Sequence, residues 1–294
     1  MTVFPILLGL LLAFCFGTSD YLSKGVAGRI GGYRTALWML TLSAVGVLFP
    51  SLVLESKLAV TPFMFLFLLF VSVMTFLSFN FMYRAYDVGA LSLTSPVVNS
   101  YPIFSVLLSV FVLEAVLPAL AILALAISIV GIILVSTSLS ALRNRMSLGD
   151  FTPGIRDAFL CALFLGIAFP SFGYASEKLG YLLPAISARA GAAAIGFLAS
   201  KPLRQGAGSV KDIPWRRLLA MGVLESIGVA SFSIGVIYSS YSGSIPILST
   251  FGGMSVVFTV LYAIILLKER VEINHVLGIA MIVVGVATLL YLTG

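Results

Sequence analysis

Residues 244–271 read SIPILSTFGGMSVVFTVLYAIILLKERV, and residues 95–116 read SPVVNSYPIFSVLLSVFVLEAV. Each opens on serine with a proline close behind, runs on through apolar residues, and closes at an acid. The likeness spreads outward from these stretches. Lys24, Arg34, Pro62, Tyr86, Pro96 and Gly131 follow one another as Lys178, Arg189, Pro214, Tyr238, Pro246 and Gly285 do later. Lys24 to Gly131 and Lys178 to Gly285 both span 107 residues, and Pro62 to Tyr86 and Pro214 to Tyr238 both span 24. A duplication this long in so apolar a chain predicts a membrane transporter of two repeats, with substrate held where they meet.

Composition supports the membrane. The chain is 60% hydrophobic and 10% charged, with mean hydropathy +1.15, where a soluble domain carries about 25% charged residues. Too little polar surface remains to cover a water-exposed globule. The net charge of +6 is spread over short loops, so it suits anionic lipid headgroups and gives no nucleic-acid patch. Cys15 and Cys161 lie in apolar runs without metal or redox spacing and read as buried free thiols. The N-terminus lacks the basic region and cleavage site of a secretory signal, so Val3–Ser23 reads as a retained first span.

About 20 mostly apolar residues cross a bilayer, and ten segments satisfy this. They are Val3–Ser23, Gly32–Leu54, Pro62–Tyr86, Ala90–Leu113, Val116–Ser138, Asp157–Ser176, Leu182–Ser200, Trp215–Ser239, Ser244–Leu267 and Ile273–Thr293. Glu114 and Pro118 mark the turn between the fourth and fifth; Lys268, Glu269 and Arg270 divide the ninth from the tenth. The predicted fold is all-α and polytopic: a first repeat at 1–139, a connecting loop at 140–156 and a second repeat at 157–294. Five spans per repeat is an odd number, so the second repeat enters the membrane in the opposite sense. Odd-numbered loops and their flanks hold 14 of the 17 basic residues, and the opposite side holds Lys57 and Lys178. That bias predicts odd loops in the cytoplasm and both termini outside.

The paired motifs resemble the EamA domains of the drug/metabolite transporter superfamily. The marks are a proline-bearing fourth and ninth span ending in an acid, then a glycine-bearing fifth and tenth, SIVGIILV at 128–135 and MIVVGVATLL at 281–290. The likeness covers nearly the whole chain. Two features depart from it. Pro96 to Glu114 is 18 residues while Pro246 to Glu269 is 23, and many family members are described with both termini in the cytoplasm. The resemblance implies export or exchange of small metabolites, often amino acids, by alternating access. It further implies a cavity walled mainly by spans one, three, four, six, eight and nine, in the plasma (inner) membrane of a prokaryote.

Glu225 is the foremost candidate for the site. An ionised acid near mid-span costs several kcal/mol unless solvated or paired, so it reads as a substrate-amine or proton site, or as a structural partner of Arg189. Arg189 reads as a carboxylate contact, as that partner, or as a snorkelling base. The recurrence of Ala188, Ala192, Gly196 and Ser200 around it suggests close helix packing. Asp20 reads as a substrate contact or as a helix-end pair with Lys24 four residues on. Asn80, Asn99 and Tyr101 are polar groups within spans three and four. Pro96 and Pro102 should break span four, and Pro170 span six, as hinges beside a cavity. Phe169, Tyr174, Phe232, Tyr238 and Phe251 fall on spans expected to wall that cavity.

No catalytic or metal motif appears. His275 is the only histidine, and no cofactor is expected. One acid, one base and aromatics suit an amino acid or similar small metabolite. A lipophilic cation would need only Glu225 and aromatics, and a channel or scaffold is the alternative of another class. Protons are the expected coupling ion and a monomer the expected functional unit. The orientation is checked by a cysteine introduced at Ser209: in intact cells it should resist an impermeant external thiol reagent, and labelling there would reverse the orientation.

Overall fold

The computed structural model describes residues 3–52, 54, 60–89, 91–111, 118–136, 154–206, 210–238, 244–266 and 268. Of the last span it describes 273–274, 276–278, 280–281, 284–285 and 288. Among these residues every regular element is helical. Seven helices are long and apolar enough to cross a membrane, and Ala119–Gly131 is a shorter apolar one. The predicted turn at Glu114, together with Lys57, Ser209, Glu269, His275 and most of the 140–156 loop, lies outside the described residues.

Span one runs from Val3 to Ile30 instead of stopping at Ser23. Apolar length marks the hydrocarbon limit, whereas backbone hydrogen bonding continues until Gly31, whose φ of 85° suits a residue without Cβ. Span two is Gly32–Gly46 with a short 3-10 turn at Pro50–Leu52. Span three, Pro62–Val88, starts on a proline with Thr61 capping the Met64 amide, where a missing N–H does least harm. Span five is Ala119–Ser136 and span six Ile155–Leu179. Span eight is Trp215–Ile237.

Spans four and nine are the broken ones. Span four consists of Leu91–Val98 and Pro102–Phe111. Pro102 has no N–H to give the Val98 carbonyl, and the Tyr101 amide takes that carbonyl in a tighter turn at 3.3 Å. Span nine consists of Ser244–Gly253 and Ser255–Leu266, joined through Met254. The breaks meet face to face. A Cβ on Gly252 would strike the Tyr101 hydroxyl, and one on Gly253 would strike the Pro102 ring and come within 3.0 Å of the Asn99 carbonyl. Span six, by contrast, stays one helix through Pro170, which corrects the expected break there. A single lost hydrogen bond does not open a helix that its neighbours hold on several sides.

Packing follows the duplication. Span one lies along span eight and span three along span six; exchanging one for six and three for eight turns either pair into the other. Spans two and eight pack as spans seven and three do, and span four meets span six as span nine meets span one. With an odd number of spans per repeat, that exchange is a pseudo-two-fold in the membrane plane. The chain therefore forms ten transmembrane helices in two inverted five-helix repeats.

Lipid gives helices no hydrophobic reason to associate, so close packing and hydrogen bonds do the holding. The Ser43 and Ser226 hydroxyls pair at 3.2 Å, and those of Ser176 and Ser233 at 3.1 Å. Gly222 rests on Leu42 and Gly228 on the Phe16 ring. That places the small-residue face of span eight in helix packing, while Leu52, Phe63, Leu198 and Ile265 point outward.

The crossing of the two breaks gives a paired prediction. Gly253→Ala should destabilise the protein by about 1–3 kcal/mol, as overpacking does. Gly28→Ala, whose Cβ meets nothing within 4 Å, should be neutral or stabilising by roughly 0.5–1 kcal/mol. Thermal unfolding in detergent checks both.

Candidate substrate-binding site

Two adjoining cavities, each with room for about 30 Å³, lie between the repeats. That volume holds little more than a water molecule. Both share Phe16, Phe79, Leu165 and Phe169. All six expected spans reach the lining: Asp20 from span one, Thr75 from three, Asn99 and Tyr101 from four, Phe172 from six, Glu225 and Phe232 from eight, Ser255 from nine. Span seven, absent from that expectation, adds Arg189.

Span seven is Leu182–Ile186, a wide π-turn at Ser187–Gly191, and Ala192–Ser200. The π-turn puts one extra residue into the helix and carries Arg189 inward. Span three holds it: the Ser72 hydroxyl donates to the Ser187 carbonyl at 2.9 Å, and the Ser187 hydroxyl donates to the Leu68 carbonyl. Gly191 leaves the space that the Ser72 side chain fills.

From there Arg189 donates through Nη2 to Glu225 Oε2 at 3.0 Å, with both side chains only 3% exposed. Its guanidinium also lies 4.9 Å from the centre of the Phe79 ring, a favourable cation–π geometry. Among the described residues Arg189 Nε has no hydrogen-bond partner. The pair thus keeps one donor unused in a region where unpaired polar groups are costly.

Asp20 is the second buried acid, 5% exposed. The expected pairing with Lys24 is replaced by another arrangement. Lys24 Nζ donates to the carbonyls of Tyr86 and Gly89 at 2.8 and 2.7 Å, capping the end of span three. Asp20 faces inward instead, where Asn99 Nδ2 donates to Oδ2 at 3.4 Å. Asn99 is itself fixed by Ser255, which donates to Oδ1 at 2.7 Å across the two helix breaks. Tyr86 and Thr259 lie beside Asp20, and Glu225 is close enough to act on it electrostatically. The centre therefore sets two carboxylates against one guanidinium.

Phe169 is the aromatic hub, with ring centres of Tyr101 at 4.8 Å, Phe232 at 5.0 Å and Phe16 at 6.0 Å. The other candidates fall elsewhere. Tyr174 packs edge-on to Phe67 under Lys178. Tyr238 is 59% exposed at the end of span eight. Phe251 packs over Gly9 of span one. Asn80 is buried, its carbonyl oxygen unpartnered among the described residues, and does not line either cavity. Its neighbour Phe79 does, since one residue turns a helix face by about 100°. Phe16, Thr75, Phe79 and Ser255 are site residues that sequence reasoning passed over. Phe16 carried a usable signal, one helical turn before Asp20. Among the described residues no cluster of metal-ligating side chains occurs.

The sequence model of the EamA-like transporter family matches residues 3–137 and 152–291. A solved structure described only as "Crystal structure of protein" covers 100% of this chain and 98% of its own, with TM-score 0.73 at 15% identity. At that identity the likeness is one of fold. No curated protein matches the chain. The family match takes in both repeats, and the helices around the central site agree with it: the chain is an integral membrane protein belonging to the EamA-like transporter family, within the drug/metabolite transporter superfamily.

Proposed function

We propose that this transporter exports or exchanges an amino acid or a closely related small polar metabolite by alternating access, in the plasma membrane of a prokaryote. The observation that carries this reading is the buried Arg189–Glu225 pair, 3.0 Å apart, set beside Asp20 under the Phe169 cluster. A zwitterion has the complementary charges. Its carboxylate would take Arg189, its ammonium would take Glu225 or Asp20, and its side chain would meet the rings. Substrate would then replace one internal ion pair with two of its own, which limits the desolvation penalty on either side.

Two carboxylates against one guanidinium leave one negative charge over. That surplus favours a proton as the coupling ion, with Glu225 as main charged contact or proton carrier. It also favours a second reading, export of a lipophilic cation, which would need the acids and rings but not Arg189. The site is complete within one chain, which suits a monomeric functional unit.

A difference between the repeats supports alternating access. Lys24 caps span three and Tyr86 beside it is fully buried. Their counterparts are open: the Lys178 side chain is 49% exposed next to Glu177, and Tyr238 is 59% exposed. One end of the molecule is thus closed where the equivalent opposite end is not. Inverted repeats that exchange such conformations would turn the site from one side to the other.

Purified protein in liposomes tests the reading. Saturable amino-acid flux is expected, and a rate without saturation would point to a channel. Glu225→Gln should lower stability, since the amide still accepts from Arg189 but no longer balances its charge, and in the folded variant should abolish transport or its pH dependence. A well-folded variant with unchanged rate and pH profile overturns the role of Glu225. Arg189→Met should lower stability by about 3–5 kcal/mol, as unpaired buried charge does. Preserved cation export with lost amino-acid flux in that variant would favour the second reading.

A further inference from the structure

A cavity of about 420 Å³ opens between the end of span one and the start of span eight, lined by Arg29, Arg216 and Arg217 with Gly25, Pro214 and Trp215. No carboxylate lines it, and among the described residues none of the three arginines forms an ion pair. Three other bases at this end are answered within the protein. Arg84 and Arg156 share Asp157, and Arg34 Nε donates to the Gly206 carbonyl. Three like charges around one hollow repel each other unless an anion joins them.

The hollow has a built wall. Span one carries a glycine at 25, where a Cβ would collide with Arg217 Nη1. Arg217 therefore lays its guanidinium against the backbone of span one. Depth is marked by aromatic residues: Trp215 packs against Trp38 at 5.5 Å, and Trp38 against Phe197 at 6.4 Å. Tryptophans gather at the headgroup level of a bilayer. Below Arg216, at three- to four-residue spacing, Leu219, Val223 and Ile227 are 49%, 56% and 40% exposed. They form an apolar track down the outer face of span eight from the cationic hollow.

We propose that this cavity binds the phosphate-bearing headgroup of an anionic phospholipid, whose acyl chains lie along Leu219, Val223 and Ile227. Guanidinium groups match phosphate oxygens in paired hydrogen bonds, and the track below fits hydrocarbon where a free phosphate would leave it unused. The lipid bridges spans one and eight, the helices that bear Asp20 and Glu225, and so ties this end of the repeat interface together.

Native mass spectrometry and thermal melting of the purified full chain test this with phosphatidylglycerol, phosphatidylcholine and soluble glycerol 3-phosphate. Phosphatidylglycerol should be retained and should raise the melting temperature; the other two should do neither. Arg216→Gln and Arg217→Gln should each weaken retention about five-fold, the effect of one base near an anionic surface, while Lys201→Gln should leave it unchanged. Gly25→Ala should also weaken it, by displacing the Arg217 guanidinium with net charge unchanged, and it decides the matter alone if the arginine variants do not fold. Equal retention of phosphatidylcholine, equal loss in Lys201→Gln, or unchanged retention in Gly25→Ala overturns the site. Stabilisation by glycerol 3-phosphate as strong as by phosphatidylglycerol makes the occupant a soluble phosphate and overturns the lipid.

Discussion

A guanidinium and a carboxylate buried together in a lipid-embedded protein set the terms for everything around them. Arg189 and Glu225 are each 3% exposed, and either one alone would be an uncompensated charge in a poor dielectric. Keeping them within reach requires spans seven and eight to hold one alignment. It also requires span three of the other repeat to close over them with Phe79 and to steady the π-turn with Ser72. The pair thus couples the repeats as well as two helices.

The rest of the architecture is that of a protein turned partly inside out. Serines and threonines such as Ser43, Ser78, Thr94 and Ser233 are wholly buried, whereas large apolar side chains such as Leu52 and Leu198 are about four-fifths exposed. In water this would be untenable. In a bilayer the apolar exterior is solvated, and short hydroxyl side chains let helices approach while satisfying one another. The same economy of volume explains why glycine sits at the closest crossings, Gly222 on Leu42 and Gly252 on Tyr101.

The global features were legible in the sequence because they depend on length and repetition. Span count, duplication and inverted sense follow from apolar run lengths and paired landmarks, and the charged residues worth attention were few enough to name. Local geometry was less legible. Asp20 and Lys24 have the spacing of a helix pair, yet Lys24 finds two free carbonyls at the end of span three, a partner invisible in one dimension. Asn80 drew attention as a polar group, while the face that matters belongs to Phe79. Tyr174 and Phe251 sit on the right spans in the wrong rotation, and Tyr238 lies just past the last turn of span eight. Proline was an uneven guide: Pro102 does break its helix, whereas Pro96 and Pro170 stay inside theirs. The π-turn that aims Arg189 has no signature in residue type, because it arises from a fit against Ser72 and Leu68.

The contact between the two helix breaks has a mechanical consequence. When Pro96 is matched to Pro246, Pro102 and Gly252 are counterparts, and each sits beside the other's break. A residue can lie that near its own counterpart only where the axis relating the halves passes between them. Points on an axis do not travel when the halves trade places. Under the proposed alternating access the crossing would act as a fulcrum, with displacement growing with distance from it. The 27 residues of span three make a rod roughly 40 Å long at about 1.5 Å per residue. A tilt of only ~10° about its middle would carry each end by ~3–4 Å. If the repeats exchange conformations as proposed, rigid helices with one fixed crossing would open either mouth by the width of a side chain without repacking the centre.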